Sequence, residues 1–191
     1  MAPSWLTSSW LRVRTLAVVA LLTASLTACG QQPERAKTPT PATDMTAYDR
    51  MLSLLYKHTV PVVQPAELAA TLQKSPRSVL LLDTRTPEEY QVSHLRGARF
   101  VHYDQYQQFD LSGISRTRPV VVYCTVGARS EQVGAWLRQQ GFRDVRNLYG
   151  GIFQWMNDGQ QVVDAQGPTT NVHPYSLLWR PWLKTGNPVY K

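Results

Sequence analysis

The sequence predicts an α/β fold: a small parallel sheet flanked by helices on both faces. Three observations predict it. The runs "SVLLLD" (Ser78 to Asp83) and "VVVY" (Val120 to Tyr123) are apolar without alternation, as in strands covered on both faces. Stretches with apolar residues at helical spacing alternate with these runs, and turn residues separate one from the next. No internal repeat interrupts the alternation. A chain of 191 residues is long enough for one ordinary domain with a real core.

Taken in order, Tyr48 to His58 carries a helical face in Met51, Leu54 and Leu55, and Val60 to Val63 reads as a short strand. Pro65 stands where a helix can begin, with Leu68, Ala69 and Leu72 as its inner face. After Ser78 to Asp83, the run Thr86-Pro87-Glu88-Glu89 offers an N-cap, a first-turn proline and acids at the positive dipole end, so a short helix starts there. Gly97 turns the chain into a short strand, Arg99 to Tyr103, and a polar connection of unassigned structure runs from Asp104 to Arg118. Beyond Val120 to Tyr123, apolar Val133, Ala135, Trp136 and Leu137 mark a helix from Ser130 that Gly141 closes. "DVRNLYGGIFQW" gives a last short strand and a Gly-Gly turn into a helix bearing Trp155.

The N-terminal segment reads as a leader. Arg12 and Arg14 precede an apolar stretch, Leu16 to Ala28, that is short for a membrane span and right for a signal-peptide core. It ends in Leu26-Thr27-Ala28-Cys29, a sequence similar to the bacterial lipobox, in which the cysteine is acylated and becomes the mature N-terminus. The expected organisation is therefore a lipoprotein signal peptide over residues 1–28 and a Pro- and Thr-rich flexible tether over 29–46. The folded domain covers 47–163 and an aromatic extension 164–191. An ordinary secretory signal cut near Ala28 and an uncleaved anchor are the alternatives. The implied location is the bacterial cell envelope, on the extracytoplasmic or periplasmic side, with the membrane reached through lipid on Cys29.

The net charge of +7 falls to about +5 without Arg12 and Arg14, an excess too mild to point to nucleic acid. Only two cysteines are present, so lipid on Cys29 leaves Cys124 as the single thiol and excludes a disulfide within the chain. An unpaired cysteine kept in an oxidising compartment calls for a use.

Cys124 sits at a place that supplies one. It ends an apolar strand, and Thr125, Val126, Gly127 and Ala128 lead to Arg129 and Ser130 at the start of a helix. A tight turn through Gly127 points backbone amides inward near a helix N-terminus, an anion-binding nest with a thiol in its middle. Helix N-termini and cationic neighbours such as Arg129 favour the thiolate, the nucleophilic form. The bland alternative is a buried small hydrophobe at a strand end. In parallel sheets the active site lies at the carboxyl ends of the strands, which also places Asp83, Thr84 and Arg85 on this edge. Asp83 and Arg85 read either as support for the site or as a strand-end salt bridge that only holds the fold. The histidines His58, His94, His102 and His173 show no metal-ligand spacing, and no metal or cofactor is assigned.

The pieces "LLLDTRTPEEY", "SHLRGARFVHYD", "PVVVYCTVGARS" and "GFRDVRNLYGGIFQW" together resemble the rhodanese-like family of sulfurtransferases, in family order and almost continuously from Ser78 to Trp155. The resemblance implies that Cys124 carries a sulfane sulfur as a persulfide and passes it to a thiol or other nucleophile. The amides of Thr125 to Ser130 would stabilise its anion, with Arg129 closing the loop and Asp83 and Arg85 bracing the neighbouring strand end. The family's phosphatase and arsenate reductase branches have a loop one residue longer, so this loop suits sulfur rather than a tetrahedral oxyanion. Two-domain relatives that use thiosulfate carry basic residues where this chain has Glu89 and Val126, which implies poor use of thiosulfate. The expected partners are a small sulfane-sulfur donor and a thiol acceptor. A non-catalytic rhodanese-like binding module is the rival reading.

The tail "PTTNVHPYSLLWRPWLKTGNPVYK" lies outside the resemblance. Leu177, Leu178, Trp179 and Trp182 either pack back on the domain or meet a protein partner or membrane surface, with Arg180 and Lys184 toward headgroups.

Overall fold

The computed structural model describes residues 45–190; the expected signal peptide and nearly all of the tether lie outside the described residues. Five strands form one parallel sheet: β1 (Val62–Val63), β2 (Leu80–Asp83), β3 (Arg99–Phe100), β4 (Val120–Tyr123) and β5 (Val145–Leu148), in the order β1-β5-β4-β2-β3. The register aligns Leu80 to Asp83 with Val120 to Tyr123, so the central strands end side by side. Every loop that follows a strand therefore gathers on one edge of the sheet.

The continuous apolar runs divide between two cores. Leu81, Val121, Tyr123 and Leu148 face one side, packed with residues of α1 (Ala47–Leu55), α2 (Pro65–Lys74) and α5 (Gly151–Asn157), among them Leu52, Leu68, Ile152 and Phe153. Leu80, Leu82, Val120, Val122 and Val145 face the other, against Val133 and Leu137 of α4 (Ala128–Gln139). Each buried aliphatic side chain contributes about 1.5–3 kcal/mol. Leu82→Ala, at a position 1% exposed, would cost about 2–5 kcal/mol.

Local chemistry sets the helix ends. Thr46 and Asp49 form a reciprocal capping box at α1, and Thr86 and Glu89 form another at α3 (Pro87–Val92). The first helix stops at Leu55, short of His58, because Tyr56 turns to extended backbone and sends its side chain beneath the Cys124 loop. The strand expected to reach Tyr103 ends at Phe100, and Tyr103–Gln108 forms a short 3-10 helix. α4 begins at Ala128, two residues before the expected start, because Gly127 at φ 97° already delivers the chain into the helix. Gly127 is its N-cap, and Ser130, which could have capped a helix starting later, lies inside the first turn.

Past α5 a hairpin of β6 (Val162–Asp164) and β7 (Gly167–Thr169) crosses residue 163, where the sequence reading ended the domain. The tail returns through β8 (Asn171–Val172), paired in parallel with β9 (Asn187–Pro188). Trp182 stacks on Tyr48 at 5.5 Å, and Asn157 at the end of α5 holds Trp182, Lys184 and Thr185 by hydrogen bonds. Trp179 and Trp182 pack on the first core, whereas Leu177 and Leu178 stand 71% and 84% exposed. No helix among the described residues is long and apolar enough to cross a membrane.

Candidate active site

Cys124 is buried at the carboxyl end of β4, and the loop after it is curled by bonds to its carbonyls. The Cys124 and Thr125 carbonyls accept the amides of Ile152 and Phe153 at 2.9 and 3.2 Å. The Val126 carbonyl accepts the Tyr56 hydroxyl at 2.9 Å, and the Gly127 carbonyl accepts Asn147 Nδ2 at 2.8 Å. Four consecutive carbonyls are thus tied to groups outside the loop. Gly127 N–H donates to Cys124 Sγ at 3.2 Å. The first three amides of α4, from Ala128 to Ser130, precede its first helical bond, Glu131 N–H to the Gly127 carbonyl. They add the positive end of the helix to the same cradle.

Two glycines are required by this geometry. A Cβ on Gly127 would lie 2.2 Å from Tyr56 Oη and sit on left-handed backbone. One on Gly151 would lie 2.3 Å from the Cys124 carbonyl, where α5 meets the loop. Tyr56 fills the space below, also accepting the Gly150 amide at 2.9 Å, and burial pushes its phenol pKa up. Ser130 Oγ donates to Asn147 Oδ1 at 2.7 Å, which orients the Asn147 amide toward the loop.

The Arg129 guanidinium is engaged by Glu89 and Thr125. It makes a two-pronged pair with Glu89, Nη1 to Oε2 at 2.9 Å and Nη2 to Oε1 at 2.8 Å, and Nη2 also donates to Thr125 Oγ1 at 2.9 Å. The Thr125 hydroxyl in turn donates to Glu89 Oε1. Burial alone would raise the Glu89 pKa, but the hydrogen bonds and charge of Arg129, with the charge of Arg85, outweigh it and hold the carboxylate below its ordinary range. Glu89 and Val126, which stand where thiosulfate-using relatives carry basic residues, are both buried, at 0% and 4% exposed. The reason is the α3 capping box, which turns the Glu89 side chain inward to meet Arg129.

Asp83 and Arg85, both fully buried, form an ion pair at 2.6 Å, and Arg85 Nη2 also donates to the Ser93 carbonyl. This pair holds the turn after β2 against the segment after α3, and does not touch Cys124 directly. The site thus brings Cys124, Thr125, Val126, Gly127, Ala128, Arg129 and Ser130 together, with Asp83 and Arg85 as a neighbouring brace. Sequence reasoning missed Tyr56, Asn147 and Gly151. Tyr56 and Asn147 carry no local signal, while the tight Gly150-Gly151 turn is visible but its target is not.

A profile of the Rhodanese-like domain matches residues 64–158. A protein of Allochromatium vinosum named "Sulfurtransferase" is 40% identical over 89 residues, covering 47% of this chain and 82% of that one. The chain belongs to the rhodanese-like family. A Streptococcus pyogenes tRNA uridine(34) hydroxylase is 39% identical over 85 residues, 41% of this chain but only 26% of that protein. The chain thus spans about a quarter of that relative. Among solved structures, a Bacillus halodurans protein matches with TM-score 0.51 at 23% identity, covering 63% of this chain and 86% of that one. A rhodanese-like domain from Anabaena sp. matches with TM-score 0.51 at 24% identity, covering 55% and 79%. These two share the fold. The rhodanese-like match stops at residue 158, so the tail that reaches the site lies beyond the family's matched part. From there Tyr175 sets its ring 4.4 Å from the Arg129 guanidinium.

Proposed function

We propose that this rhodanese-like chain is an exported, lipid-anchored sulfurtransferase that moves a sulfane sulfur through a persulfide on Cys124. The observation that carries the reading is the curled loop: four carbonyls tied to groups outside it, the Gly127 amide donating to Sγ, and the N-terminal end of α4 directly after it. That arrangement stabilises a large, diffuse anion without demanding one fixed charge partner. In the first step the Cys124 thiolate attacks the sulfane sulfur of the donor. A sulfur–sulfur bond forms to Cys124, and the donor's own bond to that sulfur breaks, its electron pair leaving as a thiolate. In the second step an acceptor thiolate attacks the outer sulfur, forming an acceptor persulfide and returning Cys124 as thiolate. No electrons enter or leave overall. Sulfur transfer is also the activity named for the Allochromatium vinosum relative.

Export and anchoring rest on Arg12, Arg14, the apolar stretch Leu16 to Ala28, and Leu-Thr-Ala before Cys29. Incubation with a persulfide donor and a thiol acceptor, with formation of the acceptor persulfide followed by mass, tests the activity. Turnover is expected for the wild type and absent for Cys124→Ser; equal rates contradict the reading. Labelled palmitate in bacterial cells tests the anchor. Incorporation lost in Cys29→Ser supports it, and an unlabelled protein removes it.

A further inference from the structure

The tail beyond the family match contributes to the mouth of the site. Ser93 Oγ donates to the Asn171 carbonyl at 2.6 Å, which fixes the start of β8 beside α3. Two residues further on, His173 lies within the fields of Glu88, Glu89, Arg85 and Arg129. Tyr175 then takes a left-handed backbone, φ 64°, that non-glycine residues rarely adopt. Its ring lies 4.4 Å from the Arg129 guanidinium, and Tyr103 approaches the same group at 5.8 Å. Tyr103 is itself tied by its hydroxyl to Gln132 at 2.8 Å.

Arg129 is the only cation in the Cys124–Ser130 loop. Glu89 neutralises it along one edge, and aromatic rings lie over it, leaving its side chain 17% exposed. An oxyanionic donor arriving at Cys124 would need that cation, and its approach is already occupied. A neutral or thiol-derived donor needs only the loop amides. From this arrangement we infer that Tyr175 is a specificity-determining residue, which covers Arg129 and reserves the loop for uncharged or thiol-derived sulfane donors over oxyanionic ones. The inference rests on Cys124 being the sulfur carrier.

The test compares wild type, Tyr175→Ala and Tyr175→Phe with thiosulfate and with glutathione persulfide as donors. Tyr175→Ala is expected to lower the thiosulfate KM about threefold or more, the scale of one exposed cation–π contact. Its kcat should move less, and the persulfide KM should not fall in parallel. Tyr175→Phe keeps the ring and should behave as wild type. An unchanged ratio of kcat/KM between the two donors in Tyr175→Ala overturns the inference. A second readout is independent of turnover: the rate at which phenylglyoxal modifies Arg129, followed by peptide mass. Faster modification in Tyr175→Ala, with wild-type rates in Tyr175→Phe, supports the cover; equal rates in all three overturn it. Failure of the sulfur-carrier reading would show separately, as no persulfide on wild-type Cys124 with either donor.

Discussion

Replacing Glu89 by glutamine keeps the volume of the side chain and removes its charge. In the folded protein that charge faces Arg129 through two bonds of 2.8 and 2.9 Å, with Glu89 fully buried and Arg129 only 17% exposed. Removing one partner of a buried pair leaves the other uncompensated, at about 3–5 kcal/mol. The partial exposure of Arg129 places the loss near the low end, about 3 kcal/mol, or on the order of 6–12 °C in melting temperature. Thermal unfolding followed by circular dichroism measures it. Glu89→Gln combined with Arg129→Met removes both charges and should cost clearly less than the sum of the single changes. Sulfur transfer should fall in Glu89→Gln because an NH2 donor replaces the carboxylate oxygen that accepts from Arg129 Nη1 and Thr86 N–H, which loosens Arg129 and the Thr125 hydroxyl it holds. A melting temperature within about 2 °C of wild type, or strict additivity in the cycle, would refute the clamp.

Tyr56→Phe orphans the Val126 carbonyl and the Gly150 amide, each at about 1–3 kcal/mol, and should lower both melting temperature and transfer rate while leaving Cys124 present and titratable with thiol reagents. Gly127→Ala forces a Cβ against Tyr56 on left-handed backbone; a loss of about 1–3 kcal/mol or more is expected by chemical denaturation, with transfer reduced by loop distortion. Because the Glu89 pKa is lowered on folding, its contribution is present above the ordinary glutamate value, about 4.3, and is lost as pH falls through the lower folded value. Urea unfolding across this acid range should therefore show a shallower loss of stability in Glu89→Gln than in wild type.

The two central strands are legible in the sequence because both their faces are covered, which removes polar alternation from Leu80 to Asp83 and Val120 to Tyr123. The thiol loop is legible for a related reason: a strand, a cysteine, a glycine and a helix follow one another without a gap. The partners that shape the loop stand far away in the chain. Glu89 and Arg129 are 40 residues apart and Tyr56 and Val126 are 70 apart, so no local pattern joins them. Glu89 shows the cost of reading locally. As one acid among several in a first turn it reads as a helix-start signal, yet its capping bond to Thr86 turns it inward. Glu131 is similar, an acid of the first turn of α4 that is buried to accept the amides of Lys57 and Thr59. The tail's approach to Arg129 follows from β8 pairing with β9 and from Asn157 pinning Lys184, contacts that only the folded chain brings together.

Intact-mass spectrometry of the purified protein, before and after exposure to a persulfide donor, tests the sulfur-carrier assignment most directly. The expected result is the gain of one sulfur atom, located on Cys124 by peptide mapping, absent in Cys124→Ser and removed by a thiol reductant. A mass unchanged after exposure to glutathione persulfide and to thiosulfate alike, with Cys124 still alkylatable, would contradict it.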